Sequence, residues 1–278
     1  MPIASETGAA LDALRAFLAH HPFPYVLTGA GVSTASGIPG YRDRDGRWRR
    51  SAPVLYQDFV RSAEARRRYW RRSMAGWPVL ARARPNATHD ALATLERRRL
   101  IAGVATQNVD GLHARAGSER LIELHGNIHH AACLQCGRPV LREALQRRLQ
   151  AANPHLQAAD VQPAPDGDAD VDDDALAQFV VPECAACGGT LKPGVVFFGE
   201  NVPQPRVAAG RLALEHGGAL LVVGSSLAVY SGYRFCEWAA ALGRPIAAIN
   251  QGRTRADPLL SLKIDADCGP LLAALAGV

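Results

Sequence analysis

The stretch Tyr25-Val26-Leu27-Thr28-Gly29-Ala30-Gly31-Val32-Ser33-Thr34-Ala35-Ser36-Gly37-Ile38-Pro39 decides how this chain is read. Pro24 introduces a short apolar strand, Tyr25 to Leu27, which runs into a glycine-rich loop. Glycines directly after a strand let the backbone approach a phosphate, and a helix starting there adds its partial positive charge. The GxGxxG fingerprint is met only in part, because Thr34 stands where the third glycine belongs. No acidic ribose ligand stands out about 20 residues on. The same glycines would also suit an ordinary tight turn from strand to helix.

The flanking sequence supplies context. Residues 9–19 read as an amphipathic helix, 54–75 as a helix ending near Gly76 and Pro78, and His89 to Arg99 as a helix capped by Thr88. Strand-like runs lie at 101–105, 121–124, 194–198, 219–223, 245–249 and 262–264, with helical patterns at 205–215, 233–242 and 269–276. Strands alternating with helices predict an α/β fold with a parallel sheet. Two segments break the rhythm. Residues 41–86 form a helical insertion, and residues 129–192 form a small module with a helix near 141–151 and a Pro/Asp-rich stretch. The parallel-sheet part is then 1–40, 87–128 and 193–278.

The 278 residues are 48% apolar, enough for a sizeable core. No uncharged apolar run reaches the roughly 18 residues of a membrane-spanning helix. No basic region followed by an apolar stretch opens the chain, so the expected location is cytoplasmic. The formal charge of +5 is uneven: arginines crowd residues 42–99 and acids crowd 160–174. A basic face attracts polyanions, but no nucleic-acid motif accompanies it, and a solvated helical face is the expectation.

Four of the six cysteines form two CxxC pairs, Cys133/Cys136 and Cys184/Cys187. In a reducing compartment such pairs read as metal ligands before disulfides. Two CxxC turns complete a tetrahedral all-thiolate zinc site with no open position, so the zinc is expected to be structural. Gly137 and Gly188/Gly189 permit the tight turns. Reduced unpaired thiols or a redox pair are the alternatives.

Polar clusters follow several predicted strands. They are Thr106-Gln107-Asn108-Val109-Asp110-Gly111-Leu112-His113, Glu123-Leu124-His125-Gly126, Gly224-Ser225-Ser226 and Asn250-Gln251-Gly252. Open α/β sheets bind ligands at such strand ends. On that rim an imidazole at His125 suits a general base for a ribose hydroxyl, and the carboxamide of Asn108 can orient a ribose or a water. Ser33 and Ser226 lack an activating pattern, which argues against a serine hydrolase.

With these motifs in order, the chain resembles the sirtuins over nearly its whole length. The resemblance rests on GAGVSTASGIP (29–39), TQNVDGLH (106–113), ELHG (123–126), the two CxxC pairs, KPGVVFFGE (192–200), GSSL (224–227) and INQG (249–252). Tyr69-Trp70-Arg71-Arg72 through Gly76-Trp77-Pro78 and the long insert between the CxxC pairs resemble the class II branch. The family implies a Rossmann-like NAD domain, a zinc-binding small domain, and NAD+ and acyl-lysine meeting in the cleft between them. It implies that Gly29, Ala30, Gly31, Ser33 and Arg42 line the NAD phosphates and ribose. Gln107, Asn108 and Asp110 would surround the nicotinamide ribose, Ser225 and Ser226 a phosphate, and Asn250 the adenine ribose, with Gln251 and Gly252 beside it. Cys268 would touch the adenine through its backbone. The substrate peptide would add a strand along Val196, Phe197, Phe198, Gly199 and Glu200, opposite the 227–231 loop.

The implied activity is NAD-dependent lysine deacylation. The acyl oxygen attacks C1′ of the nicotinamide ribose and nicotinamide leaves. His125 removes a proton from a ribose hydroxyl, which attacks the acyl carbon, and water completes formation of free lysine and O-acyl-ADP-ribose. Protein mono-ADP-ribosyl transfer, or NAD/ADP-ribose binding with weak turnover, are the other readings. The chain departs from the family at Gly40, where members usually carry an aspartate associated with the nicotinamide pocket; Asp43 and Asp45 stand nearby. Tyr69 and Arg72 share the spacing of the pair with which class III members read acidic acyl groups.

Overall fold

The computed structural model describes residues 3–40, 53–156 and 173–278. Its strands are β1 (Tyr25–Thr28), β2 (Gly103–Thr106), β3 (Leu121–Glu123), β4 (Gly126–Cys133), β5 (Pro139–Leu141), β6 (Leu191–Val195), β7 (Leu220–Val223), β8 (Ile246–Ile249) and β9 (Leu262–Ile264). Its α-helices are α1 (Ile3–His20), α2 (Tyr56–Arg61), α3 (Ala63–Arg82), α4 (Ala87–Arg97), α5 (Leu112–Arg115), α6 (Arg142–Ala152), α7 (Gln204–His216), α8 (Tyr230–Ala241) and α9 (Cys268–Ala276).

Six strands form one sheet in the order β3-β2-β1-β7-β8-β9, with every pairing parallel. A parallel sheet covered on both faces wants strands that are apolar throughout. Leu220-Leu221-Val222-Val223 and Ile246-Ala247-Ala248-Ile249 satisfy that, and every residue of β1, β2, β7 and β8 is buried. Helices α1, α4 and α9 cover one face through Leu14, Leu92 and Leu272. Helices α7 and α8 cover the other through Leu214 and Phe235. Strand order reverses between β1 and β7, which makes their C-terminal ends the topological switch point where such sheets bind ligands.

The second sheet, β5-β4-β6, is antiparallel and packs with α6. It grips the helical segment α2–α3 through aromatic packing of Phe59, Tyr69, Trp70 and Phe197. Trp70 Nε1 donates to Leu191 O at 3.3 Å. The fully buried Arg142 guanidinium lies over Trp70 and Trp77, 5.5 and 4.9 Å from the ring centroids. It donates to Ser73 O, Ser73 Oγ and Gln146 Oε1 at 3.0, 3.1 and 2.7 Å.

Four sequence expectations shift. The single helix expected at 54–75 is two, because Ser62 adopts an extended backbone (φ −112°, ψ 122°) and caps α3 by accepting from Ala65 N. Helix α3 continues through Gly76 and Pro78 to Arg82. A proline leaves the carbonyl four residues earlier without its helical donor. That carbonyl is Met74 O, and Gln146 Nε2 supplies the donor at 2.8 Å. Helix α4 is capped by Asn86 rather than Thr88: Asn86 Oδ1 accepts from Thr88 N, and His89 Nδ1 accepts from Asn86 N. The strand expected at 194–198 runs Leu191–Val195, so 196–200 forms the segment after it.

Candidate active site

The loops after β1 and β7 close on each other at the switch point. Gly31 N donates to Gly224 O at 2.8 Å, and Gly29 N donates to Val223 O at 3.1 Å. A Cβ on Gly29 would meet Ser225 Cβ at 2.7 Å, and one on Gly31 would meet Gly224 O at 2.8 Å. Gly224 itself sits at φ +59°. The glycines therefore serve loop-to-loop contact as well as leaving backbone bare at the crevice. A cavity of about 380 Å³ opens there. Its lining includes Gly29, Ala30, Gly31 and Gly40 from the loop after β1, Gln107, Asn108 and His125, and Ser225, Ser226, Asn250 and Gln251 after β7 and β8. Val196, Phe197, Phe198, Gly199 and Glu200 form part of the remaining wall, with Tyr69.

Several predicted residues sit behind that wall. Ser33 and Asp110 are buried and joined by a bond from Ser33 Oγ to Asp110 Oδ2 at 2.7 Å. Asp110 Oδ1 also accepts from Leu112 N, fixing the start of α5. Asn108 Nδ2 donates to Gly29 O and Ser33 Oγ at 3.1 and 3.0 Å. This chain of polar groups fixes the amide of Asn108, a residue that lines the cavity. Gly252 and Cys268 do not line the cavity. Cys268 is buried at the start of α9, with Sγ 3.7 Å from Thr88 Oγ1. Arg42, Tyr41, Asp43 and Asp45 lie outside the described residues. Tyr69 lines the cavity and Arg72 does not.

His125 joins the two sheets. Leu124 N donates to Thr106 O in the parallel sheet, and Val196 N donates to His125 O beside β6. The ring is held at both nitrogens: Nδ1 is 2.8 Å from Gln107 O, and Nε2 is 2.7 Å from Ser231 Oγ. A carbonyl can only accept, so Nδ1 carries the proton and Nε2 presents its lone pair. Burial, with Arg234 and Arg206 adding to it, lowers the pKa to about 4 against the pull of the Gln107 carbonyl. The imidazole is thus neutral at physiological pH, the state a general base requires. Gln107 is in turn fixed by its Nε2 donating to Ser225 Oγ at 2.8 Å.

Two residues that the sequence analysis did not single out, Arg234 and Arg253, also reach the cavity, as does Ser231 of the 227–231 loop. Leu227, buried at φ +57°, turns the loop between β7 and α8 toward it. Non-glycine residues rarely adopt that backbone, and such strain clusters at functional sites. Leu227 closes the GSSL motif, and Leu227 and Ser231 both belong to the 227–231 loop expected to face the peptide, but their residue types give no sign of the backbone turn at Leu227 or of the contact from Ser231 to His125.

The cysteine module is built from two matching turns. Cys133 N donates to Arg138 O and Gly137 N to Cys133 O; Cys184 N donates to Gly189 O and Gly188 N to Cys184 O. Gly137 and Gly188 take φ +70° and +71°. The four sulfurs lie within 4.8 Å of one another, with Cys133–Cys187 at 3.5 Å and Cys136–Cys184 at 3.8 Å. Zinc–thiolate bonds of about 2.3 Å in a tetrahedron put sulfurs about 3.8 Å apart, so the set fits one zinc ion. Backbone N–H groups of Cys136 and Gln135 draw the Cys133 thiol down to about 6, while neighbouring Cys136 helps push Cys187 up to about 12. Sulfurs this close cannot all ionise without a cation among them. All four ligands are protein side chains, so the ion would hold the module together and leave no position for substrate.

The comparisons agree with this architecture. The Sir2 family model matches residues 29–231. The chain is 53% identical over 262 residues to an NAD-dependent protein deacetylase of Xanthomonas axonopodis pv. citri (strain 306), covering 94% of this chain and 89% of that protein. It is 52% identical over 263 residues to the NAD-dependent protein deacetylase of Bordetella bronchiseptica (strain ATCC BAA-588 / NCTC 13252 / RB50), covering 95% and 96%. A solved structure described as Sir2 with a p53 peptide and NAD+ superimposes with TM-score 0.73 at 30% identity, covering 92% of each chain. Another, described as giving the basis for the mechanism and regulation of Sir2 enzymes, has TM-score 0.75 at 32% identity, covering 100% of this chain and 98% of that one. The chain belongs to the Sir2 family.

Proposed function

We propose that His125 is the general base of an NAD-dependent protein lysine deacylase whose co-substrate lies across the β1/β7 switch point. The chain is an NAD-dependent protein deacylase with a structural zinc. One observation carries the site assignment: a neutral imidazole with its Nε2 lone pair facing a cavity bounded by the two glycine loops. NAD+ supplies an electrophilic ribose carbon with nicotinamide as its leaving group. The chain's part is to orient the ribose through Asn108, to accept a hydroxyl proton at His125 Nε2, and to keep water out with Phe197 and Val196. Gly29, Ala30, Gly31, Ser225 and Ser226 are read as the phosphate-facing group and Asn250 and Gln251 as the adenosine-facing one. Arg42, Asp110, Gly252 and Cys268 keep only the support of the family resemblance.

The acyl-lysine protein is read as binding in extended form between Val196–Glu200 and the 227–231 loop, both of which border the cavity. A neutral acyl group such as acetyl fits best, because Tyr69 lines the cavity and Arg72 does not. We divide the chain into a parallel-sheet part (1–40, 87–128, 193–278), a helical insertion (41–86) and a zinc module (129–192). The compartment is read as cytoplasmic, since four thiols arranged for a metal require reducing surroundings. Among the described residues no helix is long and apolar enough to cross a membrane.

Mass spectrometry of an acetyl-lysine peptide incubated with NAD+ tests the reading. Loss of the acyl mass is expected, and His125→Ala abolishes it. A gain of ADP-ribose on the peptide supports the transferase alternative; no change supports a binding module. A panel of acetyl and succinyl peptides tests the acyl preference.

A further inference from the structure

We propose that Ser231 is a positioning residue for His125: its hydroxyl occupies the Nε2 lone pair until a ribose hydroxyl takes its place. The inference rests on the deacylase reading above. Ser231 is the second residue of α8 and is 9% exposed. Serine near a helix start usually caps its own helix. Here the N-cap is Val229, without a side-chain cap, and the Ser231 hydroxyl instead meets His125 Nε2 at 2.7 Å.

The approach is built in. Gly232 packs so closely on Gln107 that a Cβ there would lie 2.4 Å from Gln107 Oε1. The first turn of α8 can therefore press against the segment whose carbonyl holds the other ring nitrogen. Gln107 O accepts from Nδ1, so Nε2 has no proton and Ser231 must be the donor. The ring is clamped in the one tautomer and orientation that point the base into the cavity.

Two consequences follow. A ribose hydroxyl entering the site can donate to Nε2 only by displacing Ser231, so the exchange is one donor for another and leaves no buried acceptor bare. Second, donation to Nε2 favours the neutral ring. Arg234 from α8 and Arg206 from α7 act in the same direction, as does burial, and the Gln107 carbonyl opposes them. These remain when Ser231 is removed, so the effect of its hydroxyl can be isolated.

The test separates the two chemical stages. Nicotinamide release breaks the C1′–N bond and forms a C1′–O bond to the acyl oxygen, with no proton taken by His125. It is read as exchange of labelled free nicotinamide into NAD+ in the presence of acetyl-peptide. Deacylation requires the base. In Ser231→Ala, deacylation kcat/KM is expected to fall about tenfold, because the ring is no longer held in its productive orientation before the ribose hydroxyl arrives, while exchange stays within about twofold. The acid limb of the kcat/KM profile, which reports the free enzyme, moves up by about half to one pH unit. Ser231→Thr, which keeps the donor, restores both. Equal loss of exchange and deacylation in Ser231→Ala with an unmoved acid limb would overturn the proposal and leave Ser231 a helix residue. A wild-type enzyme lacking both exchange and deacylation overturns the deacylase reading, and this inference with it.

Discussion

Gly31 N donates to Gly224 O at 2.8 Å, tying the loop after β1 to the loop after β7 across the point where strand order reverses. The contact is backbone on backbone, so neither partner can step aside for a side chain. In Gly31→Ala the new Cβ meets Gly224 O at 2.8 Å and its Cα at 2.9 Å. Overpacking of this kind costs roughly 1–3 kcal/mol. It also pries open the crevice proposed for the diphosphate. Thermal denaturation is expected to show the loss of stability, and calorimetric titration of ADP-ribose at least about a tenfold weaker affinity. Gly8→Ala, in α1 with nothing within 4 Å of the added Cβ, is the control and should be neutral or slightly stabilising. Unchanged ADP-ribose affinity in Gly31→Ala would remove the switch point from the binding site.

The cysteine module should hold one zinc per chain, measured by elemental analysis of the purified protein. Cys184→Ser leaves three thiolates and is expected to lose the ion. The cost extends beyond the knuckles, because Cys133 and Cys184 share a core with Trp70, Leu145 and Phe197. Melting should therefore become earlier and less cooperative, and acetyl-peptide binding should weaken through Phe197. Full zinc content in Cys184→Ser would show that the fourth ligand is not this cysteine.

Acid should destabilise the protein before its carboxylates titrate. Burial lowers the pKa of His113 to about 3, and it lowers those of His89 and His129 as well. Above pH 6.5 these imidazoles are neutral in both folded and unfolded chains and contribute no pH dependence. Below it the unfolded chain binds protons that the folded chain refuses, so stability falls as pH drops toward the folded values. His113, 1% exposed, accounts alone for about 2 kcal/mol between pH 6.5 and 5. Urea denaturation at pH 7 and pH 5 reads the difference. His113→Gln can keep a hydrogen bond to Thr28 Oγ1, which His113 Nε2 meets at 2.9 Å, and cannot titrate. It should show a shallower decline; the same slope as wild type would place the acid lability elsewhere.

How far the sequence announces this molecule depends on where each signal resides. Leu220–Val223 and Ile246–Ile249 declare buried parallel strands because burial on both faces leaves no choice but apolar residues. The cysteine spacing announces its metal because both turns are local. The polar chain from Asp110 through Ser33 to Asn108 joins residues more than seventy positions apart, and no local pattern records that it lies beneath the cavity. The same holds for Gln146, which provides the donor that Pro78 takes from Met74 O: local chemistry says the helix ends at the proline, and a distant side chain lets it continue. Ser231 is hidden for a related reason, since its role is defined by a ring 106 residues away.

Gly40 offers the last prediction. It lies on the cavity wall, at the position where the sirtuin resemblance implies an aspartate associated with the nicotinamide carboxamide. Glycine offers no side-chain acceptor to an amide N–H and leaves the loop after Pro39 with more backbone freedom to lose on binding. Both effects weaken the hold on nicotinamide, whether free or still part of NAD+. A carboxylate accepting from a neutral amide inside a cavity is worth about 1.5 kcal/mol, close to a factor of ten. Gly40→Asp is therefore expected to lower the nicotinamide inhibition constant about tenfold and to lower KM for NAD+ in the same direction. The maximal deacylation rate should move less, because His125, the proposed base, is untouched. The measurement is a set of inhibition curves at fixed acetyl-peptide for wild type and Gly40→Asp. Identical nicotinamide constants would mean that the carboxamide is held by other groups and that the glycine carries no penalty.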